Sequence, residues 1–188
     1  MDNRGFNFKQ ANAFAMQYGL YLGLWGITSL AIFVMSLSMP ALSLVSTTMM
    51  VCSLIIAARL TSRYRHQCAT PGVGFSFGRG FLLTFLTGLY ASLWIALIVF
   101  IYLAYFDHGH VFDAYERMLQ QPEFQAELER SGVSAQLVAM SGDGGVTALV
   151  DAMRVIPPAV YATRIIYLTL LTAPFISAII ALINRRRA

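Results

Sequence analysis

Charged side chains are scarce in this sequence, and three long stretches contain none. Asp, Glu, Lys and Arg make up 12% of the 188 residues, whereas soluble domains carry about 25% charged residues. None of the four occurs within 10–58, 80–106 or 165–184. Soluble helices of that length and apolarity would have to be buried inside a much larger protein, so this composition excludes an ordinary soluble domain.

Cysteine is also rare, and the patterns that usually signal catalysis are missing. Cys52 and Cys68 occur without a CxxC motif or a Cys–His ligand cluster, which predicts two unpaired thiols. No HExxH, Walker or Ser–His–Asp pattern is present, so we predict a protein that is not an enzyme and needs no cofactor. The apolar runs also lack Asp, Glu, Lys and His near their middle, which argues against an ion-coupled carrier.

The uncharged runs are long enough to cross a bilayer, whose ~30 Å hydrocarbon core requires ~20 helical residues. The first run would extend ~75 Å as a single helix, so it must turn, and Pro40 with its neighbouring serines marks that turn. The sequence therefore predicts an all-α membrane protein with four transmembrane helices in two hairpins. Their predicted ranges are about 13–36, 41–60, 80–106 and 158–183.

Basic and acidic residues fall on opposite sides of the predicted spans. Basic residues occur in the N-terminal segment, in a linker over 61–79 and in a tail over 184–188, whereas 107–156 is acidic and mostly helical in pattern. Because basic segments tend to stay in the cytoplasm, we predict a bacterial inner-membrane protein with cytoplasmic N- and C-termini and an extracytoplasmic acidic segment. The net charge of +4 sums these two faces and therefore does not indicate a nucleic-acid partner.

The glycine-rich stretch PGVGFSFGRGF, residues 71–81, has the composition of a phosphate-binding loop. Such a loop follows a strand and carries G-x-x-x-x-G-K-[ST], and both features are missing, so we predict an interfacial turn instead. Phe75 and Phe77 are expected to face the bilayer. Three arginines are predicted to contact lipid headgroups on the cytoplasmic face, namely Arg63, Arg65 and Arg79.

Small residues recur at every fourth position in three of the predicted spans, a spacing that allows helix backbones to approach closely. The positions predicted to mediate helix packing are Gly19 and Gly23, Gly88 and Ser92, and Ala173 and Ser177. Two explanations stay open. The stripes pack the spans against one another, or they join the chain into a homo-oligomer or to another membrane protein.

Two polar residues within the predicted spans are candidate site residues. Arg164 lies about two turns inside the fourth span, where it can anchor the helix, pair with Asp107 or Asp151, or face an anionic ligand. Gln17 lies near the start of the first span, and an interhelical hydrogen bond explains it better than a ligand contact. His108 and His110 are weak metal-ligand candidates, because their spacing matches no defined motif.

Three stretches carry a resemblance to a known family. They are FSFGRGF at 75–81, ERSGVS at 129–134, and the last span with its basic end, from 174–177 to 185–187. In these stretches the sequence resembles the DUF4199 family of four-span bacterial membrane proteins, found mainly in Bacteroidetes. The resemblance implies no established activity and no catalytic residues. Family members are encoded near a lipid-linked glycosyltransferase, which implies a membrane partner of that class.

These observations lead to three functional hypotheses. The first is an accessory or scaffold subunit that binds another membrane protein, one that handles envelope lipids or glycans, in contact with membrane lipids. The alternative is a small oligomeric transporter or channel with a polar site near Arg164. The third is a metal-dependent envelope enzyme that uses His108 and His110. A polar cavity that reaches Arg164 would favour the transporter, whereas a closed and dry bundle would favour the scaffold.

Overall fold

The computed structural model of the protein describes residues 8–68, 75–132 and 145–185, and these residues are almost entirely helical. We number the helices in chain order. The long helices are α1 (Phe8–Ser36), α2 (Leu42–Cys68), α3 (Phe77–Ile101) and α7 (Pro158–Asn184). The short helices are α4 (His110–Leu119), α5 (Pro122–Arg130) and α6 (Gly145–Val155).

The four long helices are each long and apolar enough to cross a membrane. They contain 25 to 29 residues, and a helix rises about 1.5 Å per residue, so each exceeds the ~30 Å thickness of the hydrocarbon core. The prediction of an all-α protein with four candidate membrane-spanning helices is therefore confirmed. The chain is a multi-pass membrane protein by the length and composition of these helices.

The second helix does not end where the apolar run ends. It continues to Cys68, two turns beyond the predicted end near Leu60, so Arg63 and Arg65 lie on its last turns and not in a linker. The reason is that hydropathy limits the membrane-embedded part of a helix but not the helix itself. No Gly or Pro precedes Pro71 in this segment, and nothing else in the sequence stops the helix before Cys68.

The third helix ends in a change of winding. Residues Tyr102–Phe106 form a π-helix, and the Asp107 amide donates to the Tyr102 carbonyl at 2.9 Å. The Asp107 carboxylate then accepts from the backbone N–H groups of Gly109 and Val111. Gly109 has φ +90°, which a glycine adopts without strain, and α4 begins directly after it. Asp107 is thus a buried turn residue that starts α4.

Contacts between the long helices fix their relative directions. Tyr18 of α1 meets Gln67 of α2, and Trp25 donates to the Met49 carbonyl, so α1 and α2 run antiparallel. The packing of Gly80 on Ala181 makes α3 and α7 antiparallel as well. The most extensive contacts join α3 to α7 and to α1, whereas α2 contacts mainly α1. Helix α3 is therefore the centre of the bundle.

We call the two ends of the bundle the basic end and the cap end. The basic end holds the starts of α1 and α3 and the ends of α2 and α7, and the cap end is the opposite end, where the chain from α3 to α7 forms α4, α5 and α6. An aromatic cluster closes the basic end. Phe14 packs edge-on against Tyr64, and Tyr64 packs edge-on against Phe75.

Phe75 is 6% exposed inside this cluster, so the prediction that its side chain faces the bilayer is wrong. Phe77, by contrast, is exposed and stacks on Phe81 along α3. Ser76 caps α3 by accepting from the Arg79 amide, which turns the chain so that Phe75 points back into the bundle. Gly80 gives Phe75 its space, because a Cβ at Gly80 would lie 3.0 Å from the phenyl ring.

At the cap end, the salt bridges of one arginine join α4 to α6. Arg154 of α6 pairs with Asp113 and Glu116 of α4 at 2.7 and 3.0 Å, and with Asp151 at 3.7 Å. Desolvation lowers the pKa of Arg154, but hydrogen bonds and attraction from Asp113 and Glu116 outweigh that effect and raise the pKa overall. The side chain is therefore a fixed cation at any physiological pH. Tyr161 at the start of α7 donates to the Met153 carbonyl and so joins α6 to the bundle.

Some sequence predictions fall on residues outside the described ranges. These are the glycine-rich stretch before Phe75, the last two residues of ERSGVS, the acidic segment from there to Gly144, and the tail beyond Arg185. The membrane orientation and the spans' membrane boundaries likewise stay predictions.

Candidate functional site

A cavity of about 500 Å³ lies in the middle of the bundle, between the four long helices. Its walls come from residues 22–33 of α1, 49–57 of α2, 84–95 of α3 and 165–177 of α7. Ligand cavities in proteins usually measure ~300–1,000 Å³, so this one is large enough for a ligand. Along α7 it extends from Ile165 to Ser177, which is about 18 Å at 1.5 Å per residue.

The cavity wall is apolar although it contains several hydroxyl groups. Ser53 donates to the Met50 carbonyl, Thr169 to the Ile165 carbonyl and Thr172 to the Leu168 carbonyl, each within its own helix. Those hydroxyls are therefore already paired, and no Asp, Glu, Lys, Arg or His contributes to the wall. Buried beside the cavity, the Ser29 hydroxyl has no hydrogen-bond partner among the described residues.

Two polar contacts close the cavity towards the basic end. The Thr84 hydroxyl, part of the cavity wall, is hydrogen-bonded to the Thr61 hydroxyl at 2.8 Å and joins α3 to α2. Closer to the end, Arg65 donates to the Asn184 carbonyl at 3.1 Å and joins α2 to α7. Both bonds lie beyond the range of α2 that lines the cavity, so α2 is held to α3 and α7 below the cavity.

The cavity opens between α2 and α7. Four wall residues are also exposed on the outside of the bundle, and three of them place the opening on this side, since Met50 and Leu54 belong to α2 and Thr172 to α7, while Phe33 of α1 is the fourth. Helix α2 contacts α7 far less extensively than α3 does. The α2 side chains at this opening, Met50 and Leu54, are apolar.

Comparison with protein families supports the resemblance seen in the sequence. The model of the family "Protein of unknown function (DUF4199)" matches residues 17–186, which include the entire cavity wall and the cap end. The chain belongs to the DUF4199 family. Comparison with curated proteins and with solved structures gives no match.

In this DUF4199 protein the predicted packing stripes lie inside the bundle. A Cβ on Gly19 would collide with the Cβ of Tyr90, and a Cβ on Gly23 would lie 3.0 Å from the Cβ of Trp94, so both glycines face α3. The other predicted stripe residues line the cavity, where α3 and α7 meet, and are Gly88, Ser92, Ala173 and Ser177.

The polar residues predicted from the sequence do not converge on the cavity. Arg164 is exposed on the outside of α7, and Gln17 is exposed on α1. Asp107 accepts from the backbone at the start of α4, and Asp151 pairs with Arg154, so neither is the partner of Arg164.

His108 and His110 are both exposed at the cap end. Across the described ranges, no group of three His, Cys, Asp or Glu side chains comes close enough to hold a metal ion. Their weak metal-ligand assignment gains no support from this arrangement.

The three arginines predicted to contact headgroups differ in their surroundings. Arg63 is exposed, and Arg79 is half-buried at the start of α3. Arg65 already has hydrogen-bond partners within the protein, because it donates to the Asn184 carbonyl and to the Ser62 hydroxyl. That bond could not be predicted from sequence, since it joins residues 119 positions apart.

Sequence analysis did not predict the cavity. Residues on its wall are apolar or small, as are those that face lipid, so composition does not distinguish them. One available signal was the pair of hydroxyl residues Thr169 and Thr172 in α7, which are three positions apart and so lie on one side of the helix.

Proposed function

We propose that this DUF4199 protein is a non-enzymatic membrane protein that binds the hydrocarbon chain of a membrane lipid in its central cavity. The observation that carries the proposal is the apolar cavity that opens sideways between α2 and α7. Its length of about 18 Å along α7 is sufficient for much of an extended lipid chain, and its wall is as apolar as the chain itself.

The cavity supports chain binding better than transport of a polar substrate. An ion or polar solute would need hydrogen-bonding or charged groups to replace its hydration, and the wall offers almost none. The alternative of a transporter or channel with a polar site at Arg164 has less support, because Arg164 does not line the cavity.

The accessory role towards another membrane protein also belongs to the proposal. Since the stripe residues named above face the interior, such a partner would use an outer surface of the bundle. Helix α2 offers one, because Leu44, Val51 and Ile55 are exposed and α2 is the least packed of the four long helices. Co-purification from native membranes in mild detergent tests this role, and a clean monomer under all mild conditions would contradict it.

The proposed location is the bacterial inner membrane, with the basic end and both termini in the cytoplasm. Support comes from the distribution of charge. Lys9, Arg63, Arg79 and Arg185 lie at the basic end, whereas the acids that the structure describes lie at the cap end.

A matched pair of substitutions tests chain binding. Ser53→Phe places a ring in the cavity, whereas Ser43→Phe makes the same change on the exposed surface of the same helix. Each serine bonds only the carbonyl three residues earlier, so both lose an equivalent local bond. The probe is a diacylglycerol with a photoreactive acyl chain, added to the protein in dodecyl maltoside micelles.

The expected result is cross-linking to cavity residues in wild type and Ser43→Phe, and only background labelling in Ser53→Phe. Peptide mapping should place the cross-links on α2 and α7 near Leu54 and Thr172. Equal labelling of all three proteins, or labelling confined to the outer surface of α2, would refute chain binding in the cavity.

A further inference from the structure

The exposed arginine of α7 stands beside the cavity at the level of its cap-end limit. Ile165 is the cavity residue of α7 closest to the cap end, and Arg164 directly precedes it. Helix α7 has 27 residues and is about 40 Å long, so about 5 Å extends beyond each face of a ~30 Å hydrocarbon core. Arg164, about 9 Å from the helix start at Pro158, therefore lies just below the surface of the hydrocarbon.

Arg164 has no counter-ion in the described part of the protein. It forms no hydrogen bond or ion pair there, and its side chain is exposed outside the bundle. Four acids of the cap end have other partners. Asp107 accepts from two backbone amides, and Asp113, Glu116 and Asp151 all pair with Arg154.

An unpaired cation at this depth is unfavourable unless it reaches an anion. Its long side chain can extend towards the membrane surface, where the phosphates of lipid headgroups lie. A guanidinium binds phosphate oxygens through two parallel N–H donors, which gives both charge and geometric complementarity.

We infer that the lipid bound in the cavity carries a phosphate headgroup, and that Arg164 binds this phosphate while the chain lies between α2 and α7. The inference rests on the proposed chain binding and adds the class of headgroup. Two neighbouring features support it, the opening towards α7 at Thr172 and the position of Arg164 one residue before the cavity wall.

Two chain-matched probes separate the headgroup from the chain. One is phosphatidic acid with a photoreactive acyl chain, and the other is diacylglycerol with the same chains and no phosphate. Dodecyl maltoside carries no phosphate, so the micelle does not compete. We expect wild type to prefer phosphatidic acid by about tenfold, as one charge-assisted contact of ordinary strength would give.

Arg164→Gln should reduce this preference to near unity and leave diacylglycerol labelling unchanged. Arg164→Lys, which keeps the charge without the paired donors, should retain part of it. Arg117→Gln is the matched control, because it removes another exposed arginine at the cap end, on α4. This variant should keep the wild-type preference for phosphatidic acid.

The outcomes distinguish the two proposals. If Arg164→Gln keeps the wild-type preference, the phosphate assignment is overturned while chain binding stands. If Ser53→Phe labels as strongly as wild type with both probes, chain binding fails and the phosphate assignment fails with it. If inorganic phosphate at the same concentration as phosphatidic acid abolishes the preference, Arg164 binds free phosphate as readily as the headgroup and the lipid assignment is overturned.

Discussion

Two helix contacts in this bundle differ in how closely the backbones approach. Between α1 and α3, a Cβ added to Gly19 would collide with the Cβ of Tyr90, and one added to Gly23 would lie 3.0 Å from the Cβ of Trp94. Between α2 and α7, contacts are few and a cavity remains. In lipid, helices associate through close packing and polar contacts rather than through hydrophobic burial, so the first contact holds the fold. The second is left free to accept a ligand.

The largest effect is expected at the closest contact. Gly19→Ala should destabilise the protein by about 3 kcal/mol, because the new methyl group collides with Tyr90 and the two backbones must separate. Thermal unfolding in detergent, followed by circular dichroism and by size-exclusion profile, measures this.

Gly78→Ala is the control for that substitution. Gly78 is also helical but has no atom within 4 Å of its added Cβ, so alanine should leave stability unchanged or raise it by about 0.5–1 kcal/mol. If the two variants unfold at the same temperature, the α1–α3 contact is not the one that holds the bundle.

An intermediate effect is expected where α2 is tied to α3. Thr61→Val and Thr84→Val each break the hydrogen bond between the two hydroxyls below the cavity. Each should lower the free energy of unfolding by about 0.6–1.7 kcal/mol. The double variant should cost about as much as either single one, because the shared bond is already lost. Strict additivity of the two unfolding free energies would mean that the hydrogen bond does not couple the helices.

The smallest effect is expected inside the cavity. Ser53→Phe should change the free energy of unfolding by less than about 1 kcal/mol, because the ring enters existing space instead of displacing packed atoms. The same melting experiment, run beside Ser43→Phe, provides the check. A loss as large as that of Gly19→Ala would show that the cavity wall is closely packed in solution, and that the α2–α7 contact does not differ from the α1–α3 contact in packing.

Prediction from the sequence succeeded for features that depend on chain composition over long windows. The absence of charged residues over 80–106, for example, directly predicts a membrane span. A charged side chain in hydrocarbon is energetically unfavourable at any position, so a span excludes it. Composition does not locate the end of the helix itself, because hydropathy changes at Arg59 whereas α2 continues as a helix to Cys68.

Prediction was also limited for the site. Arg164 was recognised as unusual from sequence alone, but its missing partner could only be seen once Asp107, Asp113, Glu116 and Asp151 were found engaged elsewhere. The prediction that Phe75 faces the bilayer is wrong because an aromatic residue beside a span is compatible with both lipid and the protein interior. Its sequence position does not distinguish these two environments.

The sequence by itself determined that this chain has four helices long and apolar enough to cross a membrane, and it indicated the DUF4199 family that the comparison then established. These properties follow from the transfer of apolar residues out of water, which depends on composition and length. Only the tertiary structure decided which faces of those helices meet. Inside a bilayer both the lipid and the protein interior are apolar, so the close contact at Gly19 and the open side at Met50 follow from shape alone.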